Sequence, residues 1–362
     1  MSLNKISFII YIRARFIPTD RTEKTMSEYV KVVVDAMGGD NAPLEIIKGA
    51  VAAINENSTV KVLLAGKQEL VEEELKKYEY NKDQVEIVDT RDVIEMAEPP
   101  VNAIRTKKDS SIVKGMGLVK EGQADAFVSC GSTGAVLVGG QVLVGRLPGV
   151  QRPPLAPLLP TAKGMALLID CGANVDAKPA YLVQFAKMGT VYMKNIMGIE
   201  NPRVGIVNIG AEEEKGNALV KETFPLLKAC PDINFVGSVE ARDIPNGDVD
   251  VIVCDAFVGN VILKLYEGVG MTLVKMIKDA MMSSTRGKIG GVLVKPGMKK
   301  VLKKFSTEEY GGAPLLGLKG LVVKAHGSSK AEEVKNAVLQ CVDFKEQDIN
   351  RKISESLSAT EE

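Results

Sequence analysis

The sequence predicts an α/β protein, a mostly parallel sheet covered by helices on both faces. Three observations carry this. Short apolar runs rich in Val, Ile and Leu alternate with amphipathic stretches such as "QELVEEELKKYEY" and "NALVKETFPLLKAC". Each run stops at a turn rich in Gly, Ser, Thr, Asn or Asp. Aromatics are only 5% of the 362 residues and Trp is absent, so a core drawn from a 45% hydrophobic fraction must be aliphatic.

Taken in order, residues 1–25 hold "NKISFIIYIRARF", a short apolar run with basic flanks and no small-residue cleavage site. The expectation is that translation begins at Met26 and that the preceding residues carry no chemistry. "VKVVVDAMGGDNAP" is a strand ending at Asp35, then a turn through Gly38, Gly39 and Asp40, then a helix start at Pro43. "ADAFVSCGSTGA" repeats the pattern, with a strand to Ser129 and a turn through Gly131, Ser132, Thr133 and Gly134. "GMALLIDCGANVDAKP" ends its run at Asp170, before Gly172, Asn174, Asp176 and Lys178. "RVGIVNIGAEEEKGN" ends at Asn208 and Gly210, before Lys215. "VDVIVCDAFVGN" ends at Asp255, before Gly259 and Asn260. Residues 26–340 read as one catalytic domain that includes a helical arm at about 262–310, and 341–362 as a charged tail.

Composition excludes several classes. Lys plus Arg equals Asp plus Glu at 46 each, so no basic surface marks a nucleic-acid binder. Five unclustered cysteines and a single histidine, His326, argue against a zinc site or a disulfide framework and fit a reducing cytoplasm. No run of eighteen apolar residues suggests a membrane span. Neither a P-loop nor a G-x-G-x-x-G follows a strand, which disfavours nucleotide and dinucleotide sites. The five turns share one character, backbone N–H groups at helix starts, and in an open parallel sheet they belong at one edge. There they suit a small anion such as phosphate, a phosphoryl group or a carboxylate. No cofactor or metal is expected.

Individual residues have plain readings beside functional ones. Cys130, Cys171 and Cys254 sit at strand ends but read as small buried packing residues rather than nucleophiles. His326 in "KAHGSS" is a core-edge histidine or a phosphate or proton contact. Lys178 and Lys215 are surface lysines or point charges beside an anion. Arg152 caps a Pro-rich turn or clamps phosphate. Asp35, Asp170 and Asp255 read as turn-stabilising carboxylates that orient neighbours.

The stretches "DAMGGDNAP", "AIRTKKDSS", "GSTGA", "DCGANVDAKPAYLVQFAKMG", "VNIGAEEEKGN", "DIPNGDVDVIVCDAFVGN" and "GGAPLLGLKGLVVKAHGSS" together resemble the bacterial phosphate acyltransferases of phospholipid synthesis. Cys130, Ser132, Pro154 and Ala256 depart from that family's usual Ala, Asn, Ala and Gly. The resemblance implies a three-layer α/β/α sandwich, like phosphotransacetylases and isocitrate-type or isopropylmalate-type dehydrogenases. It implies transfer of a fatty acyl group from acyl carrier protein to inorganic phosphate, giving acyl phosphate. It further implies a homodimer in the cytoplasm, working beside a membrane-embedded glycerol-phosphate acyltransferase. On the matching positions, Lys178, His326 and Asn260 become candidate catalytic residues. Gly38, Gly39, Asp40, Gly131, Ser132, Thr133, Gly134, Arg152, Asn174, Asn208, Gly210 and Lys215 become candidate phosphate or substrate contacts. A phosphotransacetylase using coenzyme A, a non-catalytic carrier-protein binder and a dehydrogenase remain the competing readings.

Residues 280–307 carry no Asp or Glu but seven cations: Arg286, Lys288, Lys295, Lys299, Lys300, Lys303 and Lys304. Apolar residues lie between them. This reads as an arm facing an anionic membrane at the inner leaflet, or alternatively as a dimer interface or a dock for acidic carrier protein. Its glycines and Pro296 are expected to break it into two short pieces.

Overall fold

Val32, Val33 and Val34 are wholly inaccessible, as a strand covered on both faces must be. They belong to Val30–Asp35 (β1), the first element of a computed structural model that describes residues 29–304 and 310–358. The expected 1–25 extension lies outside the described residues. From β1 the chain alternates as its periodicity predicts. Leu44–Glu56 (α1), Val60–Gly66 (β2), Gln68–Leu75 (α2) and Val85–Asp89 (β3) come first. Pro100–Thr106 (α3), Ser111–Lys120 (α4), Ala126–Ser129 (β4) and Thr133–Gly139 (α5) follow. Then come Leu158–Thr161 (β5), Gly164–Ile169 (β6), Pro179–Asn195 (α6), Arg203–Asn208 (β7), Ala218–Lys228 (α7) and Asn234–Glu240 (β8). The last elements are Val251–Val253 (β9), Ala256–Met282 (α8), Thr285–Lys304 (α9), Ala313–Leu315 (β10), Leu321–Lys324 (β11), Ala331–Glu346 (α10) and Ile349–Ser358 (α11).

The strands form two mostly parallel sheets, ordered β10-β11-β4-β1-β2-β3 and β5-β6-β9-β7-β8. Only β10–β11 and β5–β6 pair antiparallel. A seam joins the sheets. Leu155 bridges Leu315 antiparallel, the Ala156 N–H donates to the Pro314 carbonyl at 3.0 Å, and the Leu316 N–H donates to Pro154 at 3.0 Å. One apolar cluster runs through one face of both sheets, from Val32 and Val34 to Leu167, Ile169 and Val251, beneath α1, α6, α7, α10 and α11. The opposite face is covered by α3, α4 and α5 over the first sheet and by α8 over the second. This is the expected three-layer arrangement.

Counting along the seam, the strand direction reverses three times: β11 to β10, β10 to the Leu155 segment, and β5 to β6. The parallel strands of the second sheet therefore run opposite to those of the first. The register nevertheless brings their carboxyl ends to one level: Asp170, at the end of β6, is level with Leu155, which bridges Leu315 opposite Val322, two residues before the end of β11. The expected single edge is thus replaced by two sets of turns, after β1, β4 and β11 and after β6, β7 and β9, that meet at the seam.

Two further expectations change. The expected charged tail at 341–362 is, as far as residue 358, not a bare tail: Cys341, Val342, Phe344, Ile349, Ile353 and Leu357 are buried, and α11 packs on α6. Charges at 345–346, 351–352 and 355 had masked an i, i+4, i+8 apolar stripe. In the arm, Pro296 lies inside an unbroken α9, and the break falls at Ser283–Ser284 instead. There Gly287 and Gly291 let α9 approach Met281 of α8. α8 is also long and apolar enough to cross a membrane by length and composition, although charged residues interrupt any continuous apolar run. Its N-terminal half is tied to the sheet, where Ile262 and Leu263 pack and Tyr266 Oη donates to the Pro160 carbonyl. Beyond that the hairpin is exposed, with Leu265, Met271, Val292 and Leu293 each more than 60% accessible.

Gly259, in the first turn of α8, sits directly against the Asp170 carbonyl oxygen, where no Cβ fits. Gly259→Ala is expected to lower stability by roughly 3 kcal/mol by forcing α8 off the sheet. Thermal and urea unfolding of the purified variant measure this.

Candidate functional site

β11, β4 and β1 are neighbours with parallel register, so their carboxyl ends present three turns side by side. Close packing of these turns explains their glycines. A Cβ on Gly38 would stand 2.8 Å from the Gly131 nitrogen, and one on Gly39, at φ +101°, 2.8 Å from Cys130 Cβ. The Asp40 N–H donates to the Gly327 carbonyl at 2.8 Å. Asn41 Nδ2 donates to the carbonyls of Ser328 and Ser329 at 2.9 and 3.1 Å. Sequence positions almost 290 apart are thereby fixed as one rim.

Beneath the rim, Asp35 is 1% exposed. It accepts the Ser129 hydroxyl at 2.7 Å and the Met37 N–H at 3.2 Å. Burial pushes its carboxyl up, against these hydrogen bonds. The Gly131 N–H in turn donates to Ser129 Oγ at 2.9 Å. Ser132 caps α5, its Oγ accepting the Ala135 N–H at 3.4 Å. The N–H groups of Thr133 and Gly134 belong to the first helical turn, where no intrahelical carbonyl reaches them. Thr133 is exposed and Gly134 half-buried, so these donors lie at an open surface. His326 is exposed on the same rim. Its Nδ1 accepts the Ser328 N–H at 3.3 Å and lies 2.8 Å from Ser328 Oγ, which leaves Nε2 as the donor of the neutral ring. Gly38, Gly39, Asp40, Gly131, Ser132, Thr133, Gly134 and His326 are thus brought together.

The other nominated residues gather at the second sheet's edge. Asp170, fully buried, accepts the N–H groups of Leu155 at 2.9 Å, Ala173 at 3.3 Å and Asn174 at 2.8 Å, plus Asn174 Nδ2 at 2.7 Å. Burial pushes its carboxyl up to about 6 while these donors pull the other way. Asn174 spends its remaining amide proton on Pro153 at 3.0 Å, which makes it a brace for the loop. Asn208 is likewise buried and donates to Lys215 O at 3.2 Å and Ser238 Oγ at 3.1 Å, with Gly210 buried beside it. Lys215 is exposed and paired with Glu212 at 2.8 Å. Lys178 is exposed at the start of α6, and Arg152 lies 6.0 Å over the Tyr181 ring of the same helix. Asn260 is exposed in the first turn of α8.

One residue of the first rim was absent from the sequence reading. Lys324 ends β11 in register with Ser129 and is 8% exposed. Its signal was a charge closing the apolar run "GLVVK" just before "AHGSS".

Residues 30–352 match the sequence profile of a family described as "Fatty acid synthesis protein". The chain belongs to that family. A phosphate acyltransferase of Clostridium novyi (strain NT) is 52% identical over 324 residues, covering 90% of this chain and 97% of that protein. A phosphate acyltransferase of Clostridium acetobutylicum is 51% identical over 326 residues, covering 90% and 98%. Among solved structures, a phosphotransacetylase from Streptococcus pyogenes aligns with TM-score 0.57 at 18% identity, over 88% of this chain and 94% of that one. An EutD phosphotransacetylase from Staphylococcus aureus aligns with TM-score 0.56 at 16% identity, over 87% and 94%. These structures share the fold. The family and its relatives support, for this chain, an acyltransferase whose acyl transfer involves phosphate.

The strand-end thiols are poor nucleophiles for such chemistry. Burial pushes Cys130 and Cys171 up to about 12 and raises Cys254 well above the ordinary thiol range. Cys130→Ala, Cys171→Ala and Cys254→Ala should each retain substantial phosphate-dependent acyl transfer. Mass spectrometry after rapid quench should find no acyl group on any of them, and an acylated cysteine would contradict direct attack.

Proposed function

We propose that the protein transfers a fatty acyl group from the thioester of acyl carrier protein to inorganic phosphate, giving an acyl phosphate for phospholipid synthesis. The observation that carries this reading is the rim of glycine turns after β1, β4 and β11, with the open N-terminus of α5 in its midst. Phosphate docks there, on the Thr133 and Gly134 N–H groups, with the Gly38–Gly39 turn close by. Backbone donors suit it, because phosphate near neutral pH is largely dianionic, its second pKa being about 6. In that state it is already nucleophilic and needs no strong base. It attacks the thioester carbonyl directly. The departing thiol, with a pKa of roughly 8.5, leaves as thiolate or takes a proton from Nε2 of His326 in its imidazolium form. Positioning and stabilisation of the developing oxyanion supply the rate. The acceptor is small, so tight turns fit it better than a nucleotide-sized cleft.

The exposed α8–α9 hairpin supports the rest of the proposal. Its apolar side chains and its lysines suit an anionic leaflet at the inner face of the membrane, near a glycerol-phosphate acyltransferase that consumes the amphiphilic product. Pairing of the hairpin with a second copy in a homodimer is the competing use of the same surface. Replacing Lys299, Lys300, Lys303 and Lys304 together with Gln should abolish sedimentation with anionic vesicles and leave thiol release in solution intact. Unchanged vesicle binding, or none in the parent, removes the membrane role.

Thiol release with acyl-carrier-protein and acyl-coenzyme A donors, each with and without phosphate, tests the reaction. Phosphate-dependent release from the carrier-protein donor is expected, well above that from coenzyme A. A preference for coenzyme A would make the protein a phosphotransacetylase. Carrier-protein binding without thiol release would make it a scaffold.

A further inference from the structure

Lys324 is a buried cation that no carboxylate among the described residues pairs. Its Nζ donates to the Ala325 carbonyl, and among the described residues it forms no ion pair. The charged and titratable groups acting on it come from every side: Asp35 of β1, Asp40 of the following turn, Cys130 after β4, and Lys264 of α8. Neither aspartate closes on it. The Asp35 carboxylate is held by Ser129 and Met37, and Asp40 is exposed on the rim. Lys264 adds a like charge and is itself paired with Glu267 at 2.9 Å. Burying an ammonium without a partner is costly, so a fold that keeps one has a use for it. Its backbone partner Ser129 also holds the Gly131 N–H, which opens the turn into α5. The free charge therefore sits under the same turns that carry the open N–H donors.

We propose that Lys324 is the cation that binds the phosphate acceptor, its Nζ supplying from below the charge that the α5 N-terminus supplies only in part. This rests on the reading of phosphate as the acyl acceptor at that rim. The ammonium meets the anion as a point charge, and the bound anion provides the close partner that Asp35 and Asp40, acting without an ion pair, do not. Burial lowers the amine below the ordinary lysine range, so the charge is lost at a lower pH than that of a surface lysine.

The test uses the full chain and inorganic phosphate as the probe. In the parent, phosphate should raise the unfolding temperature and saturate the acyl-transfer rate. Lys324→Met should raise the KM for phosphate about tenfold or more, the size expected for losing a charge-assisted hydrogen bond. It should leave the KM for the thioester unchanged and abolish the phosphate-induced thermal shift. Without phosphate it should unfold at the parent's temperature or higher, because the unpaired charge is gone. Lys324→Arg should keep much of the phosphate affinity and flatten the alkaline loss seen in the parent, since a guanidinium stays charged. Should the Met variant fail to fold, Lys324→Arg and its pH profile carry the test. A folded Lys324→Met with the parent's phosphate KM and thermal shift overturns the inference alone. A parent whose rate and stability ignore phosphate overturns the acceptor reading and the inference with it.

Discussion

The four N–H bonds to the buried Asp170 carboxylate are the constraint on which the rest of the structure depends. One of them comes from Leu155, the residue that bridges the first sheet at Leu315. Two come from Asn174, whose carbonyl accepts the Ala256 N–H that begins α8. The Asp170 carbonyl oxygen lies against Gly259. Seam, loop and helix are therefore positioned by one side chain and its own backbone. An acceptor with two oxygens and no proton is the right group for this place, because every neighbour is a donor. Its burial works against its charge, and the density of donors offsets that cost.

The two sets of turns differ in what they leave open. After β6 and β7 several polar residues are spent on each other: Asn174 on Pro153 and Asp170, Asn208 on Ser238 and the Lys215 carbonyl, Lys215 on Glu212. After β1, β4 and β11 the polar residues hold the backbone in place, leave N–H groups open at the start of α5, and keep beneath them an ammonium bonded to the Ala325 carbonyl with no ion pair among the described residues. An anion gains most where donors are fixed yet unsatisfied, since the protein has already borne the cost of ordering them.

Much of this was legible in the sequence. The apolar runs at Val30–Asp35, Ala126–Ser129 and Arg203–Asn208 announced strands, and the glycines at 38, 39 and 131 announced turns, the first two of which leave no room for a Cβ. What escaped depends on pairing between distant segments. No local pattern shows that Leu155 meets Leu315, so neither the reversal of strand direction nor the meeting of two sets of turns at the seam could be read. Lys324 escaped for a similar reason: a lysine closing a strand reads as a surface residue until its register with Ser129 places it inside. α11 was hidden because its three buried apolar residues are spaced by charges. Pro296 misled because a proline in an exposed helix removes one hydrogen bond without ending the helix when the surrounding turns hold.

The long helix α8 has a mechanical consequence. It is rooted by the Asp255 cap, by Gly259 against Asp170 and by Tyr266 on Pro160, and it then runs free to Met282. At 27 residues it spans about 40 Å, a stiff beam with one clamped end. A load at the tip is delivered as torque at the clamp, where the Asp170 loop and the seam between the sheets meet. Whatever touches the far end of the hairpin is therefore geared to the angle between the two halves of the body.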